Sequence, residues 1–215
     1  NVEWAFEIPI RHRSEGKKMD ETKIRVAQSN EIGKVAAMMT VAFSGDPFMR
    51  WIYPEPDAFI AHFPKFVEAF AGGAFDQNAA FVDKDLGGAC MWFPPGTEVN
   101  EEGLRQHAIA TIAPERLGQM GEIFQQMEDY RVDEEVWYLP MIGVDAKFQG
   151  QGIGALLMNS VLAKTDGMGI STYLESSNPA NIPFYKRLGY EAIGEIKISD
   201  DTPLLTPMYR TWRRM

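Results

Sequence analysis

Apolar and polar positions follow a regular period along most of this chain, and the period changes from segment to segment. Lys23-Ile-Arg-Val-Ala27 alternates, which predicts a first strand. Ser29-Asn30-Glu31 supplies a helix N-cap, and Ile32, Val35, Ala36, Met39 and Phe43 follow at helical spacing until Ser44-Gly-Asp-Pro47 stops them. Phe48 to Pro56, rich in proline and aromatics, reads as a loop. Asp57 begins a second amphipathic helix to about Phe75, with Pro64 as a kink or restart. Ala79 to Asp83 and Gly88 to Phe93 are β-rich runs joined by Lys84-Asp-Leu-Gly87, a hairpin signal. Beyond the break at Pro94-Pro-Gly96, helices are expected over 100–113 and 114–130, and a strand over 135–144. A helix from about Gly152 to Asp166, a strand over 171–175, a helix over 180–188 and two terminal strands (190–198 and 204–210) complete the pattern. Helices mixed with strands, including an early hairpin, predict one α/β (α+β) layer fold with a mixed sheet over residues 23–215. Residues 1–22, with the basic run Arg11 to Lys18, read as an N-terminal extension, and Met19 as a natural start.

The most informative segment is Val144-Asp-Ala-Lys-Phe-Gln149-Gly150-Gln151-Gly152-Ile153-Gly154. A strand runs into a glycine loop and straight on into a helix. The first N–H groups of a helix have no intrahelical acceptors, and the helix dipole adds partial positive charge there. Glycines let a ligand approach the backbone closely. Together these features predict a phosphate or pyrophosphate site. The spacing fits neither G-x-G-x-x-G nor G-x-x-x-x-G-K-[ST].

What remains, Gln149-x-x-Gly152-x-Gly154, resembles the Q/R-x-x-G-x-G/A signature of the GCN5-related N-acetyltransferases (GNAT). About 30 residues on, Tyr185-Lys-Arg-Leu-Gly189-Tyr190 resembles the same family's Y-x-x-x-G-F/Y segment. The stretch Leu174 to Tyr190 is similar to the puromycin N-acetyltransferase branch in particular, a segment shared by many acetyltransferases. The resemblance implies a single-domain GNAT fold, a mixed, mostly antiparallel, twisted sheet of about six to seven strands flanked by helices. It implies acetyl-CoA as co-substrate, and it is compatible with a homodimer.

Bulk properties narrow the partners. Net charge is −9, which argues against nucleic acid and is compatible with a cationic amine, although solubility alone also explains it. No apolar run approaches the ~20 residues that span a membrane. The first ten residues lack a basic region before an apolar one, which argues against a secretory signal. The single cysteine, Cys90, excludes an intrachain disulfide and reads as a buried strand residue. These points favour the cytoplasm.

Acetyl transfer needs the thioester held and polarised, the amine uncharged and the leaving thiolate protonated. The resemblance assigns the pyrophosphate to Gln149, Gly150, Gln151, Gly152, Ile153 and Gly154. It assigns the pantetheine arm to the backbone of Ile142, Gly143 and Val144, in a slot where their strand splays from the next. Pro140 suits a bulge or an edge in that strand. Asn178 and Asn181 either bind the arm or cap helices. Tyr185 is the thiolate's proton donor by resemblance, and by periodicity alone a core aromatic. Glu175, Glu135, Asp46 and the stretch Glu98 to Glu102 compete as general base, with Glu175 nearest the slot. The loop Pro47 to Tyr53, Trp92, Phe93 and Tyr138 either line an acceptor pocket or fill the core. His12, His62 and His107 read as surface residues, and no metal site is implied. Transfer to a small-molecule amine, an antibiotic or another xenobiotic, leads. A peptide or protein N-acetyltransferase and a non-catalytic acetyl-CoA-binding module are the alternatives.

Overall fold

The computed structural model describes residues 24–97, 99–130, 132 and 134–214. The expected extension, His12, Lys23 and Glu98 lie outside the described residues. Seven strands form one mixed sheet: β1 (Ile24–Val26), β2 (Ala80–Asp83), β3 (Gly88–Phe93), β4 (Val136–Val144), β5 (Ser171–Ser176), β6 (Glu191–Ala192) and β7 (Thr206–Arg210). Their order is β1-β2-β3-β4-β5-β7-β6. Neighbours are antiparallel except β4 and β5, which are parallel and joined by the crossover helix α7 (Ile153–Met168). The remaining helices are α1 (Ile32–Ala42), α2 (Pro47–Ile52), α3 (Pro56–Ala71), α4 (Gly73–Asp76), α5 (Glu101–Thr111), α6 (Pro114–Asp129) and α8 (Ile182–Arg187).

The structure departs from the sequence expectations at three places. The expected loop after Pro47 begins as α2. Asp46 caps this helix by accepting from the Phe48 and Met49 N–H groups, and Pro47 occupies the first helical position, where no N–H is needed. Pro64 does not interrupt α3, whose break comes later, at Gly72. The expected strand 190–198 shrinks to Glu191–Ala192 plus one bridge, Ile196 to Leu205. Ordered pairing needs a partner edge, and β7 supplies one over only a short length.

Both sheet faces are covered, which is why β2 and β3 read as unbroken apolar runs. One core holds Met39, Phe63, Met91 and Met141 under α1, α3 and α6. The other holds Trp92, Trp137, Leu157 and Leu174 under α7 and α8. Cys90 is fully buried, as expected, and burial pushes its thiol up to about 12.

Strand β4 carries the feature that shapes the site. Opposite Met91 to Phe93 of β3 it runs from Met141 to Tyr138, one residue longer, so a bulge sits at Leu139–Pro140. The facing confirms it. Trp137 and Leu139 enter the α7 core, yet Met141, two residues on, enters the opposite one. Pro140 therefore occupies the bulge the sequence suggested. Beyond it the strands part. The β4–β5 ladder runs only from Val136↔Ser171 to Tyr138↔Tyr173, although β4 continues to Val144 and β5 to Ser176. A wedge-shaped gap lies between them.

Candidate active site

The glycine loop closes the far end of that gap. Val144 leads into a short 3-10 turn, Ala146–Phe148, capped by the Asp145 carboxylate accepting from Lys147 N–H at 3.0 Å. The Gln149 amide donates to the Val144 carbonyl at 3.1 Å and pins the loop to the strand. Gly150 and Gly152 adopt left-handed backbone, φ +73° and +82°. Gly152 is the N-cap of α7, and the helical ladder starts with Leu156 N–H donating to its carbonyl at 3.0 Å. The N–H groups of Ile153, Gly154 and Ala155 precede that ladder and are available to an anion. Residues 149–152 are exposed. The donors sit on a 16-residue helix, so its full dipole bears on the loop.

A Cβ at Gly152 would meet nothing within 4 Å. The cost of substitution there is therefore backbone strain alone. Gly152→Ala is expected to lower unfolding free energy by roughly 1 kcal/mol, measured by urea denaturation.

Gly154 connects this loop to the next element. A Cβ there would come within 3.5 Å of the Phe184 ring on α8. Phe184 in turn packs edge-on against Tyr185, with ring centroids 5.2 Å apart. Tyr185 is 6% exposed and lies in the α7 core beside Tyr190. Burial, with the nearby Asp46 carboxylate, holds its phenol well above the ordinary range, so it is protonated throughout neutral pH. Of the two asparagines, Asn178 caps the 3-10 turn Pro179–Asn181, accepting from Ala180 N–H at 3.0 Å. Asn181 makes no side-chain cap bond and is exposed.

On the other side of the sheet a cleft of about 1620 Å³ reaches the same point. Tyr138 and Tyr173, the last paired residues of the β4–β5 ladder, both line it, with ring centroids 6.0 Å apart. Phe93 and residues of α5 and α6 complete its apolar lining. Eight carboxylates and one guanidinium, Arg105, are the charged side chains of the lining. Arg105 is itself paired with Glu102 at 2.8 Å. The cleft therefore favours cations and offers them an apolar floor.

The structure sorts the competing expectations. Glu175, Glu135, Glu101 and Glu102 line the cleft. Asp46 does not, but is buried and bonded to Ser177. Trp92 is core, whereas Phe93 and Tyr138 reach the cleft. The segment Pro47 to Tyr53 is absent from the cleft lining, because α2 turns Phe48, Met49, Ile52 and Tyr53 into the core. His62 and His107 are half-buried rather than on the surface. They face each other between α3 and α5 with rings 6.5 Å apart, and His107 lies 3.2 Å from the Tyr53 hydroxyl. Burial, with His62 nearby, lowers the His107 pKa. Sequence reasoning gave no hint of Ser177, since a serine before Asn-Pro reads as turn chemistry.

Residues 118–190, which include the glycine loop and Tyr185, match the model of the Acetyltransferase (GNAT) family. An uncharacterised N-acetyltransferase of Schizosaccharomyces pombe is 27% identical over 177 residues, 76% of this chain and 72% of that protein. A crystal structure described as histone acetyltransferase HPA2 and related acetyltransferase, from Corynebacterium glutamicum, superposes with TM-score 0.62 at 21% identity over 90% of this chain and 97% of that one. Arylalkylamine N-acetyltransferase 2 of Aedes aegypti gives TM-score 0.62 at 11% identity, covering 89% and 99%. At these identities the structural neighbours carry the fold. No helix among the described residues is long and apolar enough to cross a membrane.

Proposed function

We propose that this chain, an acyltransferase with the GNAT fold, moves the acetyl group of acetyl-CoA directly to the amine of a small cationic molecule. One observation carries the reading. The gap between β4 and β5 has anion-binding donors at one end and an acid-lined cleft at the other. A pyrophosphate-tailed thioester and a cationic amine would meet where the strands part.

In this reading the 149–154 backbone holds the pyrophosphate, and the free edge of Ile142, Gly143 and Val144 pairs with the pantetheine amides. Asn178 holds the loop that borders the arm, and Asn181 reaches the arm itself. Backbone N–H groups of the same Ile142 to Val144 edge polarise the thioester oxygen. Tyr185, kept protonated through neutral pH, gives its proton to the departing thiolate, and the proton that the acylated nitrogen sheds restores the phenol. Glu175 receives the substrate's ammonium at the edge of the cleft, and Tyr138 and Tyr173 bind its apolar body. The aromatic side chains of the cleft, Phe93, Tyr138 and Tyr173, support a flat or hydrophobic amine as acceptor. A cytoplasmic location, where acetyl-CoA is made available, belongs to the same reading.

The test is release of free CoA, with mass detection of the product. The panel comprises 2-phenylethylamine, puromycin, spermidine, an aminoglycoside and short peptides. Acetylation of a small amine is expected, with kcat/KM falling as salt screens the cleft. Glu175→Gln should raise the amine KM by roughly tenfold, about 1.4 kcal/mol, and leave the acetyl-CoA KM unchanged. Transfer only to peptide N-termini would reassign the acceptor. Acetyl-CoA binding without turnover on any member would sink the reading in favour of a binding module.

A further inference from the structure

Asp46 is a buried carboxylate that the scheme above does not use. It follows α1 in the turn before α2, and it is 7% exposed. Its Oδ1 accepts from the Phe48 and Met49 N–H groups, each at 3.0 Å. Its Oδ2 accepts from the Ser177 hydroxyl at 2.7 Å, a bond joining residues 131 apart in sequence. Ser177 is half-buried and directly follows β5, at the side of the gap opposite β4. The α1 helix leans on the β4 side, since a Cβ at Gly143 would strike Met39 Sδ at 2.7 Å and Ala42 Cβ at 2.9 Å. The Asp46–Ser177 bond therefore spans the mouth of the gap.

Helix capping accounts for only one of the two carboxylate oxygens. The other points at a hydroxyl bordering the slot where the thioester is placed. Among the described residues the groups acting on Asp46 are that hydroxyl and the two N–H groups, none of them a cation, and its charge in turn acts on the Tyr185 phenol. Burial raises the Asp46 pKa toward values at which a carboxylate can take up a proton. α2 packs in one core and Tyr185 in the other, yet the Asp46 charge acts on the phenol. Such proximity is possible where β4 and β5 no longer pair.

Resting on the acetyl-transfer reading above, we propose that Ser177 and Asp46 form the relay that deprotonates the amine. Ser177 takes a proton from the substrate ammonium as its own hydroxyl proton passes to Asp46 Oδ2. The freed nitrogen lone pair forms the C–N bond to the thioester carbonyl carbon. The C–S bond breaks with its electrons on sulfur, and the thiolate takes the Tyr185 proton. The second amine proton, now surplus on the amide nitrogen, returns to the phenolate, and the proton on Asp46 leaves to water. Neutralising Asp46 in the first step also removes the charge that holds the Tyr185 proton back, so the base prepares the acid.

The experiment compares wild type, Asp46→Asn, Ser177→Ala and Ser177→Thr, using acetyl-CoA with 2-phenylethylamine and with spermidine. Asn caps helices as well as Asp does, and its amide can still face Ser177, but it cannot accept the proton. Asp46→Asn should melt within a few degrees of wild type and bind acetyl-CoA equally. Its kcat/KM at pH 7.5 should fall about 10²-fold. In the Asn variant the acid limb set by Asp46 should give way to one that follows the free amine, so the deficit should shrink at pH 9.5, where more amine is already free. Ser177→Ala should behave alike, and Ser177→Thr should keep most activity. An Asp46→Asn enzyme with wild-type kcat/KM and pH profile would reduce Asp46 to a helix cap and overturn the relay. Wild type inert on both amines would overturn the acetyl-transfer reading itself, and the relay with it.

Discussion

Replacing Tyr185 with Phe is expected to lower kcat at least about 10²-fold while leaving acetyl-CoA affinity within roughly twofold. The substitution removes one oxygen and keeps the ring that packs on Phe184 and Tyr190, so the core and the neighbouring glycine loop stay in place. In the proposed scheme only the proton for the thiolate is lost. Because burial and the Asp46 charge raise the phenol pKa, the acid form is fully present through neutral pH. Wild-type kcat should therefore show no alkaline decline from this group up to about pH 9, below even its unperturbed value near 10. Stopped-flow measurement of CoA release in both proteins decides the matter. A Phe variant with wild-type kcat would leave Tyr185 as a core aromatic, the role its periodicity suggests.

The largest stability effect is expected at Arg210. Its guanidinium donates two parallel bonds to Asp166 at 2.8 and 2.7 Å and a third to the Leu188 carbonyl at 3.0 Å. The side chains are 5% and 11% exposed. The contacts fasten β7 to the end of α7 and to the turn after α8. Arg210→Ala would leave the part-buried Asp166 carboxylate short of its main partner and remove the buried guanidinium's bond to the Leu188 carbonyl, at a cost of about 3 kcal/mol. For a chain of this size that corresponds to a fall in Tm of roughly 10 °C, readable by calorimetry. The pair also sets an acid limit. The Arg210 bond, followed by the Arg213 N–H and the charges of both arginines, holds the Asp166 pKa below its ordinary value. This stabilisation is complete above the unfolded-state pKa near 3.9 and is lost as pH falls through the lowered folded value. Arg210→Ala should remove that part of the acid dependence, and an unchanged acid midpoint would show that the pair contributes little.

What the sequence by itself determined lies mostly along the chain. The glycines between a strand and a helix specify a left-handed turn at Gly150 and Gly152 and unpaired N–H groups at the start of α7, because both are local properties. Pro140 announced a bulge or an edge because proline cannot donate to a ladder, and the apolar runs of β2 and β3 announced a pair of strands. The α2 helix was missed because its proline and aromatics resemble a loop until Asp46 is recognised as its cap. The strand at β6 was expected but its length was overestimated, because a pairing length depends on the partner edge.

Tertiary structure decided where each candidate carboxylate stands, and the reason is distance. Asp46, Glu135 and Glu175 are alike as letters. Folding places the two glutamates in the cleft and buries Asp46 against a serine 131 residues away. It also turned Phe48 inward and brought Phe93 and Tyr138 to the cleft, since the face a side chain presents depends on which layer covers it. The gap itself, formed where two parallel strands stop pairing, exists only as a relation between segments joined by α7, and no single stretch of sequence encodes it.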